Sequence, residues 1–235
     1  MIEFREFASP DDMVVQMVHD LTARFSNHLM AGGTVSWAVS GGSTPKPLFR
    51  AMAQTDVKWS SVVVSLVDER FVPPGHPRSN EKFVRTCLLK DKAAAASFVG
   101  LWQEGADTAD VAADQANRHY LDKVRPIHSI LLGMGSDGHT ASLFQNAKGQ
   151  EEAFNWDSDR YIVAVTAPQS DITGDELERL TLTAPAIASA DHLDLMITGK
   201  EKRAVLEAAL EPGSDLPIGR LLAGLYKPLK VYWAP

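Results

Sequence analysis

The stretch "SILLGMGSDGHTASLF" (residues 129–144) sets an apolar run directly against a glycine-rich corner. The segment "HSILLGMG" (128–135), with its apolar run Ile130 to Leu132, reads as a strand. Gly133, Gly135 and Gly138 then frame Asp137 and His139, and "HTASLF" predicts the start of a helix. The same order recurs along the chain. "TVSWAVSGG" is a strand that runs into glycines, and "STPKPLFRAMAQ" follows as a helix with Pro45 near its start. "SVVVSLV" (61–67) is a β-branched run of the kind buried on both faces of a sheet. "HLDLMITG" leads into the helix "KEKRAVLEAAL", and "LKVYWA" is a last strand. "SFVGLW", "RYIVAVTA" and "LERLTLTAP" read as further strands, and "DERFVPPGHPRSN" reads as loop.

The helices between them carry their own signals. "SPDDMVVQMVHDLTARFSNHLMAGG" is capped by Ser9, has Pro10 in its first turn and stops at Gly32 and Gly33. Its apolar stripe is read as Val14, Val18, Leu21, Phe25 and Leu29. "SNEKFVRTCLL", "DTADVAADQANRHYLDKV" and the short "LPIGRLLAG" are further helices. In the second of these, Val111, Ala112, Gln115, His119 and Val124 fall on neighbouring turns. Strands that alternate with helices predict an α/β fold with a largely parallel sheet covered on both faces. No repeat, low-complexity tract or linker interrupts it, so residues 1–235 read as a single domain.

Composition narrows the class of function. A net charge of −7 argues against a general nucleic-acid surface, and an anionic ligand must be met by a local cationic cluster. The one cysteine, Cys87, cannot form an internal disulfide, which fits a reduced, cytoplasmic setting. "MIEFREFASP" carries charges where a signal peptide needs an apolar core, and no apolar stretch is long enough to span a membrane.

Four polar clusters each follow a strand: "SGGSTP" (40–45), "DER" (68–70), "GSDGH" (135–139) and "TGKEK" (198–202). Ligands of open α/β sheets bind outside the carboxyl ends of the strands, so parallel strands place all four clusters on one rim. "SGGSTP" has the chemistry of a phosphate cradle, and a cap by Ser43 or Thr44 is its plainer account. In "TGKEKR", Lys200, Lys202 and Arg203 occupy a first helical turn, where the helix dipole disfavours cations by roughly 0.3–1 kcal/mol each. A bound anion reverses that, and Lys202 is the leading candidate. In "DER", a surface pair between Glu69 and Arg70 is the plain reading. Asp68, immediately after the buried run, is the candidate acid/base or orienting group.

Asp137 and His139 flank Gly138, so an extended loop turns both side chains to one side. A helix starting at His139 would set its positive end against the ring and favour the neutral imidazole that a general base needs. Asp137 would orient the ring, and the glycines would let backbone N–H groups approach an oxyanion. His19, His28, His119 and His192 have no such frame and read as structural. A metal is not expected, because no second His or Cys lies nearby at ligand spacing.

Taken together, "SGGSTPKPLF", "DERFVPPGHPRSN", "LLGMGSDGHTASLF", "RLTLTAP" and "TGKEKRAVL" resemble the 6-phosphogluconolactonase family, in the superfamily shared with glucosamine-6-phosphate isomerase/deaminase. The resemblance spans nearly the whole chain in the family's order. It implies an α/β/α sandwich and hydrolysis of a sugar-phosphate lactone in the pentose phosphate pathway, with no cofactor. It makes His139 the base and Asp137 its neighbour. Arg70 and Lys202 become substrate ligands, and Gly41, Gly42, Ser43 and Thr44 lie near the phosphate. Arg179 of "RLTLT" belongs to the pattern too, yet it precedes its strand and on a parallel strand would lie at the opposite rim. Gln145 stands where the family usually has proline. The isomerase branch resembles "DEY" and carries a glutamate five residues after the histidine. Here that position is Phe144, which cannot transfer a proton. A non-catalytic sugar-phosphate sensor is the alternative of a different class.

Overall fold

The computed structural model describes residues 2–235. In chain order its elements are β1 (Ile2–Glu6), α1 (Pro10–Met30), β2 (Val35–Val39), α2 (Lys46–Met52), β3 (Val62–Leu66), β4 (Asp68–Arg70), α3 (Asn80–Cys87), β5 (Ser97–Val99) and α4 (Ala109–Lys123). There follow β6 (Ser129–Leu132), α5 (Gln150–Ala153), β7 (Ile162–Thr166), β8 (Glu178–Leu182), α6 (Ala184–Ser189), β9 (His192–Thr198), α7 (Lys200–Ala209), α8 (Pro217–Ala223) and β10 (Leu229–Ala234).

Seven strands form one sheet in the order β1-β10-β9-β6-β2-β3-β5, and every neighbouring pair in it is parallel. Helices flank it, as the α/β/α expectation requires. The run "VSWAV" of β2 is buried throughout because both faces are covered. From β2 the chain moves outward through β3 to β5. It then returns to place β6 on the other side of β2 and moves outward again through β9 and β10. The order therefore reverses between β2 and β6, and the loops after those two strands open a crevice.

Ser9 caps α1 by accepting the Asp12 N–H, and Pro10 occupies the first turn. The residues α1 buries are Met13, Met17, Leu21 and Phe25, so the stripe lies one position off the expected Val14 and Val18, which are only half-buried. Phe25 meets Trp37 of β2 edge-on at 5.3 Å. Burial of such a side chain contributes roughly 1.5–3 kcal/mol. In α4 the buried face is Ala109, Ala112, Ala113, Ala116 and Tyr120, while Val111 is 44% exposed. Small alanines bring α4 close to β7, and a ranking by hydrophobicity favours the wrong face.

Two expectations fail in instructive ways, and one strand comes unannounced. "DER" is not loop: β4, β8 and β7 make a separate antiparallel sheet, with Arg70 directly opposite Arg179. No helix begins at His139, since the next helix, α5, starts at Gln150. The N-terminal segment, read only for targeting, supplies the edge strand β1 beside β10.

Candidate active site

All four polar clusters reach one cavity of about 270 Å³ at the carboxyl ends of β2, β3, β6 and β9. The crevice between β2 and β6 is tied at its root. Ser40 Oγ donates to the Leu131 carbonyl at 3.1 Å and accepts the Gly133 N–H at 3.1 Å.

Beyond Ser40 the chain turns through Gly41 to Thr44. A side chain at Gly41 would overlap the amide of Asn80, and Gly42 has φ 95°. Among the described residues, the N–H groups of Gly41, Gly42, Ser43 and Thr44 donate to no acceptor within the protein. Neither Ser43 nor Thr44 caps α2, so the anion-binding capacity lies in the loop itself.

The short strand β4 sorts its side chains by alternation. Asp68 lies by the cavity, with Oδ2 accepting from Ser142 Oγ at 2.7 Å and Oδ1 from Asn80 Nδ2 at 3.3 Å. Arg70 also lines the cavity, and its Nη1 donates to the Arg78 carbonyl at 2.6 Å. Glu69 is fully buried and accepts from the N–H groups of Arg70, Asn80 and Glu81 and from Ser79 Oγ, at 2.8–2.9 Å. Burial pushes its carboxyl up to about 7 against the pull of those four donors. It anchors the start of α3 and is no surface partner of Arg70.

Arg179 joins this site because β8 runs antiparallel to β4. The expected opposite-rim position assumed a parallel strand. Arg179 is buried, with Nη2 donating to the Thr173 carbonyl at 2.9 Å and Nε to the Glu176 carbonyl at 2.7 Å. Burial, followed by the nearby Arg70 charge, lowers its guanidinium to about 10. Two guanidinium groups thus approach one wall of the cavity.

The opposite wall carries Lys202. Burial lowers its ammonium, while Glu201 and Asp137 pull in the other direction. Lys200 is exposed, and Arg203 pairs with Glu6 at 2.9 Å and Glu207 at 2.8 Å. Of the three cations in "KEKR", Lys202 alone lines the cavity.

Between the walls stands His139. Its Nδ1–H donates to Asp137 Oδ1 at 2.5 Å, and the same oxygen accepts the His139 backbone N–H at 3.2 Å. Burial raises the Asp137 carboxyl, but the bond to and charge of His139 outweigh that and hold it below the usual range. The loop closes as a turn: Gly138 N–H donates to Gly135 O at 3.1 Å, and Gly135 N–H to His139 O at 2.9 Å. A side chain at Gly135 would overlap the imidazole. With Nδ1 committed to Asp137, Nε2 is the nitrogen left for a reacting proton.

Sequence reasoning passed over Asn80, which bridges Asp68 and Arg70, and Ile172 and Ala141 in the lining. Asn80 ends the stretch "DERFVPPGHPRSN" and follows Ser79, which caps α3, and its place in that stretch was its signal in the sequence. Among the described residues, no three His, Cys, Asp or Glu side chains are arranged to hold a metal ion.

This geometry has close relatives. A family model described as glucosamine-6-phosphate isomerases/6-phosphogluconolactonase matches residues 8–233. A 6-phosphogluconolactonase of Rhizobium meliloti is 41% identical over 97% of this chain and 97% of its own length. One of Pseudomonas putida is 37% identical over 100% of this chain and 93% of its own. The crystal structure of a 6-phosphogluconolactonase from Shewanella baltica superposes with a TM-score of 0.92 at 32% identity, covering 100% of this chain and 98% of the other.

Proposed function

The chain belongs to the glucosamine-6-phosphate isomerase/6-phosphogluconolactonase family, and we propose that it acts there as the lactonase, hydrolysing 6-phospho-D-glucono-1,5-lactone to 6-phospho-D-gluconate. The observation that carries the reading at the site is one imidazole, backed by a carboxylate, in a cavity with Lys202 on one wall and Arg70 on the other. The phosphate is held by Lys202 and the free N–H groups of Gly41 to Thr44. That leaves C1 of the lactone to face His139.

His139 Nε2 takes a proton from water as the water oxygen bonds to C1, and the carbonyl π pair moves to oxygen. Arg70 stabilises that oxyanion. When the carbonyl re-forms, the bond from C1 to the ring oxygen breaks and His139 returns its proton to that oxygen. The new carboxylic acid then loses a proton to solvent. Asp137 keeps the imidazole oriented and offsets its charge while it is protonated. Asp68 and Arg179 act as positioning groups, since their hydrogen bonds already run to the protein. Phe144, 2% exposed beside His139, offers no proton for an amino-sugar isomerisation.

Residues 1–235 act as one domain in this reading. No helix of the described residues is long and apolar enough to cross a membrane, and the buried free Cys87 supports a reducing, cytoplasmic setting. The acidic balance argues against nucleic acid as the partner, and Lys202, Arg70 and Arg179 supply the local cations that a sugar phosphate needs. The test is a kinetic assay on freshly made lactone with the spontaneous rate subtracted, and glucosamine 6-phosphate as the control. Acceleration confined to the lactone is expected; an unaccelerated lactone overturns the reading.

A further inference from the structure

We propose that Phe144 is the positioning residue of the imidazole: its ring holds His139 in the plane from which Nε2 reaches the lactone. The proposal deepens the lactonase reading and rests on His139 as base.

The Phe144 and His139 rings stack with centroids 4.3 Å apart and planes inclined by 30°. Residues five apart on a helix do not share a face, so this contact depends on the turn that replaces the expected helix. The turn is built from three fixed points. Thr140 Oγ1 donates to the Gly133 carbonyl at 2.8 Å, and the Leu143 N–H donates to the Thr140 carbonyl at 3.0 Å. Ser142 Oγ donates to Asp68 Oδ2 at 2.7 Å. Ala141, between them, takes φ 49°, a left-handed conformation that a side-chain-bearing residue adopts at a cost. The strained turn is what brings Phe144 back over the imidazole.

The ring is not simply part of the main core. Phe144 clusters with Ala147 and Ala167, apart from the large core that the sheet and helices share. Its other aromatic-face partner belongs to the site as well, because the Arg179 guanidinium carbon lies 5.6 Å from its centroid. His139 is thus bounded on three sides: Asp137 at Nδ1, the Gly135 backbone along the Nδ1–Cε1 edge, and Phe144 on a ring face. One hydrogen bond at Nδ1 fixes the tautomer but leaves the ring free to tip about that bond. A stacked ring removes that motion and bears no group that accepts or donates a proton. Transfer between water, imidazole and ring oxygen depends on Nε2 lying on line, so tipping costs rate more than affinity.

The experiment compares Phe144→Leu, which keeps apolar volume without the flat face, with Phe144→Tyr, which keeps the face. Steady-state kinetics on the lactone are read beside the NMR resonances of the His139 ring protons. Phe144→Leu is expected to lower kcat about tenfold with KM within about twofold, and Phe144→Tyr to retain most of kcat. In the wild-type protein the ring current of Phe144 should move a His139 ring proton upfield, and Phe144→Leu should release that shift. Wild-type kcat in folded Phe144→Leu, a loss carried by KM alone, or an unshifted His139 resonance in the wild type overturns the proposal. The last measurement needs no variant to fold. His139→Ala in the same assay separates the two ideas. If His139→Ala is slow while Phe144→Leu is fast, only the stacking role falls; if His139→Ala is fast, the base assignment falls instead.

Discussion

Histidines lie at both ends of the central sheet, and their surroundings differ in every respect that matters. At the carboxyl end of β6, His139 borders a cavity and has a carboxylate 2.5 Å from Nδ1. At the amino ends of β6 and β9, His128 and His192 stand with ring centroids 5.2 Å apart, and His28 from the last turn of α1 lies 4.1 Å from His128. His128 is buried, its Nδ1 has no hydrogen-bond partner, and its nearest imidazole neighbours carry no compensating charge. The cations differ in the same way. Arg24, at the amino-end rim, is bound to Asp194 at 2.6 Å and to Ser129 at 2.9 Å, whereas Lys202, at the carboxyl-end rim, makes no ion pair among the described residues. One rim has its charges satisfied by the protein; the other leaves capacity for a ligand.

The largest effects should therefore separate cleanly by rim. His139→Ala removes the proposed base and is expected to lower kcat by about 10²–10⁴-fold. Thermal stability and phosphate-driven binding of 6-phosphogluconate should change little, as calorimetry would report. Arg24→Ala is the mirror case. It leaves Asp194 buried without its partner and is expected to cost about 3–5 kcal/mol of stability by urea denaturation, with kcat of the folded fraction retained. A His139→Ala enzyme at the wild-type rate would break the comparison at its first term, and an Arg24→Ala protein of unchanged stability at its second.

Lys202→Ala sharpens the contrast between cations with a smaller effect. The proposed charge-assisted contact to phosphate would be present in ground and transition state alike, so KM should rise roughly 10–100-fold and kcat should change less. Because burial lowers the Lys202 ammonium, 6-phosphogluconate should also bind more weakly as pH rises, beginning below the range where a free lysine titrates. Titration of the wild type and the variant at several pH values checks both points. An unchanged KM moves the phosphate to the Arg70 and Arg179 wall.

The carboxyl-end rim was largely legible in the sequence and the amino-end rim was not. Parallel strands all end on one side, so polar residues after apolar runs converge, and "SGGST", "DER", "GSDGH" and "TGKEK" needed no further information to be placed together. The helix expected at His139 fails because its residues bond elsewhere: Ser142 to Asp68 and Thr140 to the Gly133 carbonyl. Neither partner is visible from local pattern. Arg179 was misplaced for a similar reason. Its strand pairs antiparallel with three residues, Asp68 to Arg70, too few and too polar to read as a strand. His28, His128 and His192 come from three elements, and only the register of β6 on β9 makes neighbours of them.

That cluster gives the mildest prediction, one confined to pH. Burial, then the charges of His28 and His192, lowers the His128 imidazole to about 4, with Arg24 adding to the effect and Asp191 opposing it. An unfolded histidine titrates near 6.5. Between these values the unfolded chain binds the proton that the folded chain refuses, so stability falls as pH falls. The contribution is complete above about pH 6.5, drains through the window down to about 4, and changes no further once both states are protonated. On the order of 1–3 kcal/mol is at stake, or about 2–4 °C of Tm per kcal/mol for a chain of this size. Melting curves at pH 7.5 and 5.0 should show the loss in the wild type and a smaller loss in His128→Phe, which keeps an aromatic ring without a titrating nitrogen. Turnover of the folded variant should match the wild type, because the candidate active site lies at the other end of β6. Equal acid losses in both proteins would mean that the imidazole cluster is not what the acid acts on.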